Sequence, residues 1–160
     1  MYVSEIMTIG AHTCGTRDSL NSAAQTMWEH DVGALPVIDE EGRAMAMITD
    51  RDICMAAYTQ GMRLVHIPVS AACSRSIVTV YEDDTLSAAE ALMREHQIRR
   101  VPVIDRAHKP VGMLSMNDLA RHVSKPGQRH NGLSPSSIVE TLAAVCQPTA
   151  DLPQVVSSAF

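Results

Sequence analysis

The stretch LPVIDEEGRAMAMITDRD, residues 35–52, decides the fold, because it occurs again as VPVIDRAHKPVGMLSMND, residues 101–118. Each residue lies 66 positions from its counterpart, as Asp118 does from Asp52. The match continues without a gap over residues 20–54 and 86–120, and weakly upstream to Val3-Ser4 and Val69-Ser70. A repeat of this length is typical of two copies of one supersecondary unit that bury their apolar faces together. A site built between the copies would therefore also occur twice.

The composition indicates one ordinary globular core. The chain has 160 residues, about one domain's worth, and 46% of them are hydrophobic, although aromatic residues make up only 3%. The formal charge of −5 argues against a broad basic face for nucleic acid, so we expect no nucleic-acid partner. The net charge does not exclude a small anionic ligand that binds where basic residues cluster.

The cysteines favour a reducing compartment. Cys14, Cys54, Cys73 and Cys146 form no C-x-x-C pair and no signal-like segment precedes them, so we expect a cytoplasmic protein without disulfides. The simplest interpretation of Cys54 and Cys73 is that they are small buried hydrophobes. Apolar stretches are far shorter than the ~20 residues of a membrane span, and we expect no membrane partner.

The hydrophobic spacing predicts the same elements in both copies. In the first copy, these are a helix over 20–30, strands over 35–38 and 44–48, and a helix over 50–60 that ends at Gly61. In the second copy, they are a helix over 86–96, strands over 101–104 and 111–114, and a helix from Met116 to about Val123. Short strands near 11–14 and 77–80 are expected to precede the first helix of each copy.

The chain therefore divides into a first repeat at residues 1–62, a second repeat at residues 63–124 and a C-terminal part at residues 125–160. The last part reads as a linker, KPGQRHNG at 125–132, a short helix that begins at Ser134-Pro135, and a frayed tail at 148–160. We expect this helix to present one apolar face to the repeats or to a second subunit. That face is assigned to Ile138, Val139, Leu142 and Val145.

The order of helix, h-P-V-h-D strand, turn, h-h-[ST]-x-x-D and helix occurs twice, as LPVID with MITDRD and as VPVID with MLSMND. This order resembles the CBS domain pair, or Bateman module. The resemblance covers roughly residues 3–123. It implies an α+β fold of tandem βαββα repeats packed through their small sheets with pseudo-two-fold symmetry. It also implies clefts between the repeats that bind adenosine ligands such as AMP, ATP or S-adenosylmethionine.

The [ST]-x-x-D motifs supply chemistry for such ligands. Thr49 and Ser115 stand where a strand ends and a helix begins, so a phosphate would meet a hydroxyl, free backbone N–H groups and the positive end of the helix dipole. Asp52 and Asp118 lie one turn later, where a carboxylate accepts hydrogen bonds from a ribose diol. The same motif also serves as a capping box, and the two interpretations are compatible.

The resemblance also implies how the clefts are lined, each joining the motif of one repeat to residues of the other. Thr49 and Asp52 would face Ile77, Val78, Arg99 and Arg100, whereas Ser115 and Asp118 would face Ala11, His12, Gly33 and Ala34. Two guanidinium groups bind phosphate well, although a solvated pair at a helix end is the alternative. We therefore expect the Asp52 cleft to be the tighter and more phosphate-dependent of the two.

The functional hypothesis is a regulatory, non-enzymatic module that senses AMP, ADP or ATP, requires no cofactor and acts on an unknown protein target. We expect a homodimer with four repeats in a disc, as the resemblance implies. The alternatives are a constitutive dimerisation module with empty clefts, an S-adenosylmethionine sensor, and a redox or zinc sensor. The sequence has no G-x-S-x-G, H-E-x-x-H, P-loop or G-x-G-x-x-G motif, and its histidines have no zinc-type spacing. We expect neither catalytic residues nor a metal site.

Overall fold

The computed structural model describes residues 1–124 and 133–147 and confirms an α+β protein built from two equivalent halves. The linker and tail expected at residues 125–132 and 148–160 lie outside the described residues. In the first half, helix α1 (Leu20–Glu29) is followed by strands β3 (Ala34–Ile38) and β4 (Ala44–Thr49) and helix α2 (Asp50–Gln60). In the second half, α3 (Leu86–Glu95) is followed by β6 (Arg100–Ile104), β7 (Pro110–Ser115) and α4 (Met116–Val123).

Short strands complete two sheets. Strand β2 (Cys14–Gly15) runs parallel to β3, which pairs antiparallel with β4, and β5 (Val80–Tyr81) has the same relation to β6 and β7. The expected leading strands thus begin about three residues later than the sequence indicated. The second sheet has a fourth strand, β1 (Thr8–Ile9), which comes from the start of the chain and pairs with β7.

Gly112 explains why this fourth strand fits against β7. A Cβ atom at Gly112 would lie 2.6 Å from the carbonyl oxygen of Thr8 and 2.9 Å from the sulfur of Met7. The counterpart in β4 is Ala46, which has that Cβ. Close approach of a neighbouring backbone is one of the situations that require glycine in a strand.

The two halves exchange their leading segments. The N–H of Val3 donates to Asp84 O at 2.9 Å, and the N–H of Val69 donates to Asp18 O at 2.8 Å, so equivalent residues make equivalent bonds across the molecule. The turns before β4 and β7 also meet, since Ala44 N donates to His108 O at 2.9 Å. The reciprocal bonds of Val3 and Val69 express the pseudo-two-fold relation between the repeats. The division at residues 62 and 63 stays a prediction.

Each half has its own apolar core, and the cores are equivalent. Leu20, Leu35 and Ile48 are fully buried in the first, and their counterparts Leu86, Val101 and Leu114 are buried in the second.

Local signals fix the helix ends. Ser19 caps α1, because its side chain accepts a hydrogen bond from Ser22 N. Helix α2 ends at Gly61, whose φ of 61° lies in the left-handed region that glycine adopts freely.

A fifth helix, α5 (Pro135–Val145), packs on α3 and α4 of the second half. Its buried face consists of Ile138, Thr141 and Val145. The face predicted from the sequence was wrong in part, because Val139 is 65% exposed and Leu142 is 45% exposed. A helix that lies across two others needs only a narrow apolar stripe. Thr141 belongs to the buried stripe of α5 because its hydroxyl donates a hydrogen bond to the buried carboxylate of Glu90.

Two further observations concern the cysteines and the helix lengths. Cys73 is half-buried, but Cys54 is exposed, so the interpretation of Cys54 as a buried hydrophobe was wrong: Cys54 borders an open groove beside α2. All four cysteines are free. Within the described residues, no helix is long and apolar enough to cross a membrane.

Candidate functional site

The two [ST]-x-x-D motifs form matching helix caps. The backbone N–H and the Oγ1 hydroxyl of Thr49 donate to Oδ2 of Asp52 at 2.9 and 2.7 Å, and Asp52 N donates to Thr49 Oγ1 at 3.2 Å. Ser115 and Asp118 make the same bonds at 2.8, 2.5 and 3.3 Å. The capping box is therefore present in both repeats. It also preorganises each carboxylate beside the helix N-terminus, where backbone N–H groups favour an anion.

The caps differ in what else holds the carboxylate. Arg121, one turn along α4, donates to Oδ1 of Asp118, whose side chain is only 5% exposed. Met55 occupies the equivalent position of α2. Of the residues that the structure describes, none forms an ion pair with Asp52. A ribose diol would meet an available Oδ1 at Asp52 but would compete with a guanidinium at Asp118.

The segment that leads to Ile77 and Val78 runs beside the Asp52 cap. Ser74 N donates to Met47 O at 2.8 Å, and Met47 N donates to Ser74 Oγ at 3.0 Å. Burial raises the pKa of the Cys73 thiol, and the nearby negative charge of Asp52 raises it further. The chain at Cys73 and Ser74 therefore passes beside the first repeat's motif, while the cleft roles of Ile77 and Val78 stay a prediction. Ile77 and Val78 themselves are half-buried.

Arg100 crosses from the second repeat into a groove of the first. Its Nη1 lies 3.3 Å, and Asp50 Oδ2 lies 2.9 Å, from the position that a Cβ on Gly33 would occupy. The groove, with a cavity volume of about 540 Å³, has a polar end formed by Asp31, Gly33, Asp50 and Arg100 and an apolar end between α1 and α2. We call it the first-repeat groove. Its polar end adjoins the N-terminus of α2, because Asp50 N donates to Gly33 O at 3.2 Å.

Arg99 is placed differently from its neighbour. Its Nη2 donates to Cys146 Sγ at 3.5 Å, and Gln97 Nε2 donates to Ala144 O at 3.3 Å, so both side chains hold the C-terminal end of α5. From the sequence, Arg99 and Arg100 were expected to bind phosphate as a pair. The structure separates them, since successive residues entering β6 point to opposite sides of the sheet.

Gly33 and Ala34 lie next to the first repeat's own motif, because Ala34 pairs with Thr49 across β3 and β4. Their expected role in the Asp118 cleft stays a prediction. Ala11 precedes β2, and the ring of His12 stacks on that of His30 at the end of α1, with centroids 3.6 Å apart. That stacking was not anticipated from the sequence.

The Asp118 side has a smaller cavity of about 420 Å³. It is bordered by Asp118, Arg121 and His122 on α4 and by the leading segment of the chain, including Glu5 and Thr8. Three charged groups at these cavities, Asp50, Arg121 and Glu5, were not predicted from the sequence. Arg121 was detectable as the residue three positions after Asp118, the spacing of a helical ion pair. Glu5 was not, because only the exchange of leading segments brings it there.

Comparisons with known proteins show the family and the fold. The family model described as the CBS domain matches residues 3–58 and again residues 69–125. The chain belongs to the CBS domain family. Hypoxic response protein 1 of Mycobacterium tuberculosis is 35% identical over 146 residues, which cover 91% of this chain and 94% of that protein.

Solved structures support the fold. The structure of hypoxic response protein 1 with two coordinated zinc ions aligns with a TM-score of 0.68 and 35% identity, covering 76% of this chain and 98% of that one. The CBS domain pair of MJ0100, in complex with 5′-methylthioadenosine and S-adenosyl-L-methionine, gives 0.70 at 25% identity over 78% and 96%. CBSX2 in complex with AMP gives 0.65 at 25% identity over 76% and 94%. This CBS pair is therefore similar to proteins of known fold along nearly their whole length.

Proposed function

We propose that this CBS pair is a regulatory, non-enzymatic module that binds an adenine nucleotide, AMP, ADP or ATP, in the cleft at Thr49 and Asp52. Asp52 would hold the ribose, the N–H groups at the start of α2 would hold the phosphate, and Ile77 and Val78 would contact the base. The observation that carries the proposal is that Arg100, from the other repeat, reaches the N-terminus of α2. A guanidinium there supplies positive charge for a phosphate. The complexes of MJ0100 and CBSX2 support an adenosine ligand.

The second cleft, at Ser115 and Asp118, would be weaker or would take a less charged adenosine compound. Arg121 already forms an ion pair with the Asp118 carboxylate, and Glu5 adds negative charge to the same cavity. S-adenosylmethionine is the second candidate, because it carries cationic groups and no phosphate. The acidic side chain of Glu5 favours it at this cleft, and Arg100 disfavours it at the other.

Zinc is a weaker proposal for this chain. Among residues 1–124 and 133–147, no group of three or more His, Cys, Asp or Glu side chains is placed to hold a metal ion. The rings of His12 and His30 are stacked nearly parallel, with an interplanar angle of 11°. Stacked rings direct their nitrogen lone pairs side by side, not toward a common point. We therefore do not assign a zinc site to these residues.

We further propose that the protein works as a homodimer and passes nucleotide occupancy to a downstream protein target. If the clefts were empty in the working protein, dimerisation would be its whole function. Thermal melting with AMP, ADP, ATP, S-adenosylmethionine and zinc separates these alternatives, because a ligand at 100 times its Kd adds about 2.7 kcal/mol of stability. A melting temperature that none of these ligands raises would contradict the sensor proposal.

Calorimetry with AMP and adenosine tests the site. Asp52→Ala should weaken both ligands, since bonds to a charged acceptor contribute about 1.5–3 kcal/mol each. Arg100→Ala should weaken AMP more than adenosine. Arg99→Ala is the matched control because Arg99 holds α5, and it should change AMP affinity less. Thr49→Ala should have a milder effect than Asp52→Ala. If Asp52→Ala lowers only the melting temperature, the motif is a cap and no ligand site.

A further inference from the structure

Helix α5 covers a groove on the second repeat whose counterpart on the first repeat is open. Three side chains of the second repeat bond to α5: Glu90 to Thr141, Gln97 to Ala144 and Arg99 to Cys146. The first-repeat groove, an open cavity of about 540 Å³, is lined by their counterparts 66 residues earlier, which are Ala24, Asp31 and Gly33. The same fold therefore occurs twice in this molecule, once with a covering helix and once with an open groove.

The core of a repeat stays closed when its groove is open. In the first repeat, Met27 and Ile53 border the open groove, yet each is only 6% exposed, because the rest of that repeat covers them. Their counterparts in the second repeat are Met93 and Leu119, which belong to the core cluster that α5 joins through Ile138. We infer that α5 can leave the second repeat without unfolding it.

The contact between α5 and the second repeat also contains an unfavourable element. The carboxylate of Glu90 is 3% exposed, and within the part of the chain that the structure describes its only partner is the hydroxyl of Thr141. One neutral donor does not compensate for the removal of a carboxylate from water. When α5 leaves, Glu90 regains its hydration, which offsets part of the apolar burial of Ile138 and Val145. The docked state of α5 is therefore one that another helix can replace.

We propose that the face of the second repeat formed by α3, α4 and residues 97–99 is a docking site for an amphipathic helix of the downstream target, and that α5 competes for it from within the chain. The contacts of α5 define this partner. Its buried stripe would have an apolar residue, a hydroxyl three positions later and an apolar residue four positions after that, as Ile138, Thr141 and Val145 do.

The direction of the partner helix follows from the polar end of the face. There, the amide of Gln97 donates to a carbonyl oxygen of the last turn of α5, and the guanidinium of Arg99 lies at the helix end. A cation is favourable at the negative end of a helix dipole, so the partner would also place its C-terminal end at Arg99.

This docking site rests on the downstream target proposed above but not on the nucleotide. The groove at Gly33, Asp50 and Arg100 lies on the first repeat, so a helix on α3 and α4 leaves it open. Helix binding and nucleotide binding can therefore be measured separately on the same chain.

A labelled peptide with the sequence of residues 133–147, LSPSSIVETLAAVCQ, serves as the probe, and fluorescence anisotropy measures its binding. The wild type should bind it weakly, because α5 of the same chain competes at a high effective concentration. Val145→Asp places a carboxylate in the buried stripe and undocks α5, so we expect the peptide Kd to fall about 10-fold or more. Val139→Asp, at a position that is 65% exposed on the same helix, is the matched control and should leave the wild-type Kd unchanged.

Changes in the peptide test the stated chemistry of the partner. A peptide with Thr141→Ala should bind the Val145→Asp chain more weakly than the unchanged peptide, because Glu90 then lacks its donor. A folded Val145→Asp chain that binds the peptide no more tightly than the wild type would overturn the docking site. If this chain associates with itself in sedimentation and does not bind the peptide, the uncovered face is an interface between copies, and the partner helix is wrong. AMP binding that persists in calorimetry while peptide binding fails would reject the docking site alone.

Hydrogen exchange of the wild type is a second test, which needs no variant to fold. If α5 is released while the repeats stay folded, its amides exchange from a state in which α3 is intact. We expect amides of residues 139–145 to have protection factors about 10-fold or more below those of residues 90–93 in α3. Equal protection factors with equal urea dependence would mean that α5 leaves only when the whole protein unfolds, and would overturn its role as a competitor.

Discussion

Asp118 is bonded to Arg121, whereas Asp52, its counterpart 66 residues earlier, has Met55 at the corresponding position. The backbones and caps around the two carboxylates are the same, so this difference lies in one side chain. It makes the two clefts chemically unequal. An inequality was expected from Arg99 and Arg100 alone, but the structure adds a second and independent reason for it.

We expect Arg121→Met to strengthen adenosine binding at the Asp118 cleft, because the variant frees Oδ1 of Asp118 for the ribose. The gain should be about two- to five-fold, since an ion pair with one exposed partner contributes up to about 1 kcal/mol. Calorimetry with adenosine measures it, and Arg106→Met, at another ion-paired arginine, controls for the lost charge. Weaker binding would show that Arg121 itself contacts the ligand.

Asp50 should oppose phosphate at the other cleft. Its carboxylate lies beside Arg100 at the first residue of α2, where the second repeat has Met116. We expect Asp50→Asn to strengthen AMP binding about two- to five-fold, because an exposed charge contributes about 0.2–1 kcal/mol, and to leave adenosine binding unchanged. Glu29→Gln, an equal charge change on α1, is the control. An equal gain for AMP and adenosine would mean that the effect is not electrostatic.

The sequence predicted the elements well because their signals are local. Ser19, Thr49 and Gly61 act within one helical turn, and the 66-residue offset carried each assignment from one repeat to the other. The grouping of charges was predicted less well, because it depends on which side of a strand a residue takes. Arg99 and Arg100 are adjacent in the chain but contact α5 and the first repeat, respectively. Glu5 reaches the Asp118 cavity only through the exchanged leading segments.

Because of Cys14, the free energy of unfolding should fall as the pH rises in the alkaline range. Burial, and then the negative charge of Asp18, raise the pKa of its thiol from 9.0 to about 12. The folded protein therefore keeps a proton that the unfolded chain releases above pH 9. The stability that the protonated thiol contributes is fully present below pH 9 and is lost as the pH rises toward 12.

Urea unfolding of wild type and Cys14→Ala between pH 7 and pH 10.5 measures this dependence. We expect the wild type to lose more of its free energy of unfolding than the variant between pH 9 and pH 10.5. Parallel curves for the two proteins would mean that the thiol titrates alike in both states. Alkylation at pH 8 is a second check, in which Cys14 should react far more slowly than the exposed Cys146.

The bond between Thr141 and Glu90 should hold α5 on the second repeat. The Thr141 hydroxyl donates to Glu90 Oε1 at 2.8 Å, and the two residues are 0% and 3% exposed. Thr141→Ala would leave a buried carboxylate without its donor, and we expect it to lower the free energy of unfolding by about 1–3 kcal/mol. Urea unfolding measures the change.

A double-mutant cycle separates this bond from simple loss of packing. Glu90→Ala copies Ala24 of the first repeat, and in that background Thr141→Ala removes a hydroxyl that has already lost its acceptor. The double variant should therefore be more stable than the sum of the single changes implies, by about 1 kcal/mol or more. Additive changes would mean that the bond between Thr141 and Glu90 does not help to hold the helix. The single variants should also loosen the end of α5 at Cys146, so a faster reaction of Cys146 with iodoacetamide would link the buried bond to the contact with Arg99.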